Sequence, residues 1–183
     1  MKRVAAIVAA GLAVAGLTAC GDSTSGTAQP TTRNIDEIIV YNVCRDPGIA
    51  DDVLVGAGLD PATKSVFTDA PTGVSSFRVC SWDPLDDRYG PPNYRVGVWS
   101  TSHTLEEERN KESVTILRET TVNGRRGHYS QERGDPGCWL SFEAEQGMFM
   151  LDTRQTLRYG PDIDDPCEII TRYAESLEPH LPK

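Results

Sequence analysis

Apolar and polar positions follow two periods along this chain, and the switches between them mark its elements. In NIDEIIVYNVCRDPGIADDVLVGAGL, residues 34–59, apolar side chains fall at Ile35, Ile38, Ile39 and Val43, then at Ile49, Val53, Leu54 and Ala57. Both sets have the spacing of a helix face. Asp46-Pro47 offers an N-cap and a first-turn proline, and Gly58 a stop, so the second set predicts a helix. The first set reads either as a helix or as a short strand, because IIVYNV is rich in β-formers.

Strand signals follow in SVF, SSFRVCSW and NYRVGVWS. In the last of these Tyr94, Val96, Val98 and Ser100 face one way, and Arg95, Gly97 and Trp99 the other. Thr104 and Glu107 have the spacing of a capping box and open a short helix, with Glu106, Glu107 and Glu108 read as its solvated face. Asn123-Gly124 between β-rich flanks predicts a hairpin, and CWLSFEAEQGMFMLDTRQ a second one turning at Glu145-Gln146-Gly147. Asp165 and Pro166 then start a final helix with an apolar stripe of Ile169, Ile170, Tyr173, Ala174, Leu177 and Leu181, which Pro179 breaks near its end. The expected fold is α+β, an antiparallel sheet of about six strands with helices packed on one face.

Residues 1–19 have a different pattern. Lys2 and Arg3 precede an apolar run from Val4 to Leu17, the layout of a secretory signal peptide. The run is shorter than the about 20 residues that a stable membrane span needs. Leu17-Thr18-Ala19 before Cys20 resembles the bacterial lipobox, which implies cleavage after Ala19 and a diacylglycerol on the Cys20 thiol. Two acyl chains of the palmitate type suffice for stable anchoring. Residues 20–33 are then the lipidated cysteine and a Ser/Thr/Gly-rich tether, and residues 34–183 a single extracytoplasmic domain on the outer face of the cell membrane.

Charge narrows the partners. The 183-residue chain carries −9; loss of Lys2 and Arg3 with residues 1–19 takes its 18 basic residues to 16, against 27 acidic ones, or −11. Such a balance disfavours nucleic acid. Of the five cysteines, Cys20 is the anchor, and an exported chain is expected to oxidise Cys44, Cys80, Cys138 and Cys167. Three pairings are possible. Cys80 and Cys138 lie in strand-like segments beside tryptophan, and Cys44 and Cys167 beside Asp-Pro helix starts, which favours Cys80–Cys138 and Cys44–Cys167. The chain has no Cys-x-x-Cys, and none of its histidines has zinc-ligand spacing to a cysteine, so neither metal nor cofactor is expected.

The order of these features resembles a known family. A lipobox, a Ser/Thr/Gly tether, a cysteine before an early helix ending in Gly-Leu, a Cys-x-Trp strand and a Val-Asn-Gly hairpin are followed by a later strand cysteine and an Asp-Pro-Cys helix start. Together they look like the actinobacterial lipoproteins grouped as domain-of-unknown-function family 3558, over Cys44 to about Leu181. One departure is that Asp46-Pro47 follows Cys44, where the family places Asp-Pro before its first cysteine. The resemblance implies no activity, so it transfers no catalytic residue.

Candidate chemistry is sparse. His103, His128 and His180 stand apart from any nucleophile motif, and His128 reads as a half-buried strand residue. Asp162, Asp164, Asp165 and Glu168 miss the EF-hand spacing, and helix capping accounts for the last two. The loop from Asp83 to Asn93 is long for a hairpin and offers Arg88, Tyr89, Pro91 and Pro92 as an interaction tip. Arg125 and Arg126 form a basic spot in an acidic chain. The expected function is a non-enzymatic binding or interaction module of the cell envelope, held to the membrane through Cys20, with an envelope protein or lipid as partner. The competing readings are an envelope hydrolase with a dispersed site and an accessory subunit of an envelope complex.

Overall fold

Hydrogen bonding between period-2 segments builds one antiparallel sheet. A computed structural model describes residues 34, 37–45, 48–69, 76–85, 94–135, 137–155 and 165–183. The expectations for the signal peptide, Cys20, the tether and Arg88, Tyr89, Pro91 and Pro92 lie outside the described residues. The strands are β1 (Leu59–Thr68), β2 (Phe77–Pro84), β3 (Tyr94–Thr101), β4 (Val114–Val122), β5 (Arg125–Glu132), β6 (Trp139–Ala144) and β7 (Gly147–Gln155). They are seven rather than about six, in the order β1-β2-β3-β7-β6-β5-β4. Two meanders thus meet where β3 pairs with β7, with Val98 opposite Leu151 and Trp99 opposite Met150.

The turns follow the local chemistry. Asn123 and Gly124 both have positive φ, 47° and 92°, which a two-residue hairpin of the primed type requires. Helix α1 (Asp51–Gly56) starts later than the sequence predicts: its N-cap is Ala50, with no side-chain cap. Asp51 and Asp52 in its first turn complement the helix dipole, and Gly58 at φ 86° ends it as expected. Residues 37–45 form neither helix nor strand, although Val40 and Val43 are buried. Helix α2 (Leu105–Arg109) carries the full Thr104–Glu107 capping box. Helix α3 (Pro166–Leu177) is capped by Asp165 and passes at Pro179 into a 3-10 turn, Glu178–His180.

Side-chain alternation gives the sheet two unlike faces. On the first, Val96, Val98, Leu140, Phe142, Phe149 and Leu151 pack with Leu54 of α1 and Ile170, Ala174 and Leu177 of α3, all fully buried. Polar tips seal its border, with the Tyr94 and Tyr173 hydroxyls 3.2 Å apart and Tyr129 Oη 2.6 Å from Thr171 Oγ1. The helices do not all share this face. Leu105 of α2 packs with Trp139, Met148 and Met150, which alternate with the first-face residues and so lie on the other side.

The disulfides correct the expected pairing. The bonds are Cys44–Cys80 and Cys138–Cys167, with Cα separations of 5.5 and 5.1 Å. Cys80 on β2 and Cys138 beside β6 are separated by β3 and β7. Three strand spacings are roughly 14 Å, and a disulfide spans Cα atoms no more than about 7 Å apart. Similar local context therefore did not indicate proximity. Each bond instead ties the sheet to the helical layer of the first face: one holds the segment before α1, the other the first turn of α3.

Candidate functional site

The second face carries the chemistry. One cross-strand row runs Val79, Trp99, Met150, Ser141 and His128, and the next runs Ser81, Gly97, Asp152, Trp139 and Ser130. Polar and aromatic residues therefore lie where a two-sided core would have aliphatic ones. Glu108, one helical turn beyond Leu105, reaches down from α2 onto this face. Its Oε2 lies 3.1 Å from His128 Nε2, and its Oε1 accepts a 2.9 Å hydrogen bond from Ser130 Oγ. Glu108 is 2% exposed and His128 0%. Burial alone would raise the Glu108 carboxyl, but hydrogen bonds from His128 and Ser130 and the pull of the imidazole outweigh it and hold the carboxyl below the usual range.

Asp152 is the opposite case. Its Oδ1 accepts a 2.7 Å hydrogen bond from Trp99 Nε1, and Arg154 stands 3.7 Å away. Desolvation nevertheless dominates and pushes this carboxyl above its usual range. A Cβ at Gly97 would sit 2.0 Å from Asp152 Oδ1, so only glycine lets the carboxylate cross the sheet to Trp99.

Between the Glu108 network and the aromatics lies a partly open slot of about 130 Å³. Phe77, Trp99 and Trp139 form walls: Trp99 meets Trp139 at 5.2 Å and Phe77 edge-on at 6.2 Å between ring centroids. Glu108, Lys111 and Glu132 add polar lining. Trp139 Nε1 and, on the first face, Trp82 Nε1 are both buried without a hydrogen-bond acceptor, so the unmet indole does not mark the slot.

A much larger groove of about 1010 Å³ lies on the other side of α2, between the β4–β5 hairpin and the C-terminus, but its basic side chains are already paired within the fold. Arg109 forks onto Glu119 at 2.5 and 2.7 Å, and Arg126 pairs with Glu143. Arg125 pairs with Glu178 and donates to the carbonyls of Leu181 and Pro182 at 2.8 and 2.7 Å, fastening the C-terminal segment. The Arg125-Arg126 spot is thus engaged within the fold.

Comparison with known proteins places the chain. A family model described as Protein of unknown function (DUF3558) matches residues 15–180. The chain belongs to that family. Neither the curated proteins nor the solved structures include a match. The DUF3558 match spans both disulfides and every strand, and brings no activity with it.

Within this DUF3558 domain the sequence-predicted residues fare unequally. All four domain cysteines form bonds, in the other pairing. Asp165 caps α3 by accepting from Cys167 N at 2.8 Å. His103 sits at the start of α2, 3.4 Å from Glu107, and His128 is fully rather than half buried. Among the described residues no group of three or more His, Cys, Asp or Glu is placed to hold a metal. The Glu108 network escapes sequence reading because Glu108 ends a run of three glutamates. Only its helical phase with Leu105 singles it out.

Proposed function

We propose that the protein is an actinobacterial envelope lipoprotein, anchored by Cys20 on the extracytoplasmic face, whose domain binds a ligand without turning it over. The observation that carries this reading is the slot on the second face, walled by Phe77, Trp99 and Trp139 and edged by Glu108, Lys111 and Glu132. Support for the compartment comes from the Leu-Thr-Ala-Cys signal at residues 17–20 and from two disulfides, which persist in oxidising surroundings. The hydrolase reading has less support: Ser130 donates to Glu108 rather than to His128, so this Ser, His and Glu lack the nucleophile-to-base contact that acyl transfer needs.

Native mass spectrometry on the mature chain released from its own membranes tests the reading. A discrete added mass beyond the acyl anchor, lost in a Trp99→Ala variant, is the expected result. A bare domain overturns a tight-binding role. Cys20→Ser, assayed by detergent partition, tests the anchor independently, and an unchanged partition rules it out.

A further inference from the structure

We propose that Ser76, next to Phe77 of the slot wall, is an activated nucleophile that takes an acyl group from a neutral ester or thioester. The inference goes beyond the binding reading. It concerns a second site, and a single covalent transfer to the protein rather than the ligand held in the slot.

The end of one ladder sets the place. Phe77 on β2 faces Thr101 on β3, and Ser102 N donates to the Ser76 carbonyl at 3.2 Å, so the pairing runs one step past both strands. His103 follows directly, turned by a 3.1 Å hydrogen bond from its N–H to Thr101 Oγ1. Its ring lies against that of Phe77, with centroids 5.1 Å apart. The capping box then fixes Glu107, whose Oε2 accepts from Thr104 N at 2.8 Å and stands one helical turn from His103.

Three groups are thereby set in line. Ser76 Oγ stands 3.3 Å from His103 Nε2, and His103 Nδ1 stands 3.4 Å from Glu107 Oε2. A carboxylate only accepts, so the Glu107 contact draws the imidazole proton to Nδ1. Nε2 of the neutral ring is then an acceptor, and the Ser76 hydroxyl donates to it. This is the contact between nucleophile and base that Ser130 lacks. The His103 and Glu107 side chains are 22% and 41% exposed and Ser76 is half-buried, so a donor in solution reaches them.

In the transfer, Ser76 Oγ bonds to the acyl carbon, and the bond from that carbon to its alkoxide or thiolate breaks. The Ser76 proton passes to His103 Nε2 and from there to the leaving group, with Glu107 balancing the imidazolium in between. Ser76 is left as an ester, and an alcohol or thiol departs. Charge selects the donor. Glu106 and Glu107 follow His103 in a chain of net charge −9, which disfavours anionic donors such as phosphoryl compounds. Phe77 offers an apolar ring beside the imidazole for the acyl part.

The test incubates the mature chain, in detergent from its own membranes, with p-nitrophenyl acetate and locates acetyl groups by peptide mass spectrometry. We expect Ser76 to be acetylated well ahead of the exposed Ser113 and Ser176. His103→Ala should slow acetylation of Ser76 at least tenfold, as loss of a positioned general base does. Free imidazole should restore it, a rescue that a merely structural histidine would not show. Glu107 is a positioning residue. Glu107→Gln keeps an oxygen for Thr104 N, so the thermal midpoint should hold while acetylation of Ser76 slows at least threefold. Acetylation of Ser76 no faster than that of Ser113, or an equal rate at Ser76 in the wild type and His103→Ala, overturns the proposal. Neither result touches the slot, whose reading stands or falls by native mass spectrometry.

Discussion

Phe149 and Met150 are neighbours on β7, yet they belong to different environments. Phe149 points into the face covered by α1 and α3, among aliphatic and aromatic side chains and both disulfides. Met150 points to the face where α2 lies, among Trp99, Trp139 and Leu105, with Ser141 opposite on the adjacent strand. The first face has the composition of an interior built for stability. The second keeps ionisable groups at burial levels that aliphatic residues would fill more cheaply, and holds its covering helix by one leucine and one carboxylate. The difference is that the second face takes desolvated charge of two kinds, Glu108, which its partners stabilise, and Asp152, which burial penalises.

The comparison breaks most directly by truncation. Phe149→Ala should lower stability by about 3–5 kcal/mol, the range for buried aromatics. Met150→Ala should lose less, because the slot already adjoins it and its neighbours can close over the gap. Urea denaturation with an unchanged slope checks both; an equal loss at the two positions would make the faces equivalent. Next in size are the bridges. Replacing either cysteine pair by serine should lose about 2–5 kcal/mol, and loops of 36 and 29 residues correspond to roughly 4 kcal/mol each in the chain-entropy model. Peptide mapping without reduction should recover Cys44 with Cys80 and Cys138 with Cys167. Recovery of Cys80 with Cys138 would contradict the strand order itself.

How much of this was legible follows from the range of each interaction. The later strands, the Asn123-Gly124 turn, the Thr104–Glu107 box and the Asp165 cap are written in residues a few positions apart, and the structure has them where the pattern puts them, whereas β1 begins at Leu59, well ahead of the SVF signal. The cysteine pairing depends on β3 and β7 intervening between β2 and β6, a fact of topology that no local window contains. The same holds for the site. Gly97 and Asp152 are adjacent only through the β3–β7 register, and Glu108 meets His128 only because α2 lies on the second face.

Two acids on that face sharpen the comparison by their opposite response to pH. Glu108→Gln should cost about 1–3 kcal/mol at neutral pH, since the network loses its charged acceptor. The folded Glu108 carboxyl lies below the unfolded value of about 4.3. Its stabilisation is therefore complete above that value and fades as pH falls through the folded one, where the wild type and the variant should converge.

Asp152→Asn should have the smallest effect and the opposite sign. The folded Asp152 carboxyl lies above the unfolded value of about 3.9, because burial outweighs the Trp99 hydrogen bond and Arg154. Below about pH 3.9 the group is protonated in both states and carries no penalty; as pH rises, the unfolded chain ionises first and stability drains away until the folded group ionises too. Asparagine keeps an oxygen for Trp99 Nε1 and removes the charge. The variant should thus gain up to about 1 kcal/mol over the wild type at neutral pH, and the gain should vanish under acid. Urea midpoints measured at several pH values check this. A loss at neutral pH would mean that Arg154, at 3.7 Å, stabilises the carboxylate more than burial penalises it, and Asp152 would then join Glu108 as a charge the fold keeps for its own stability.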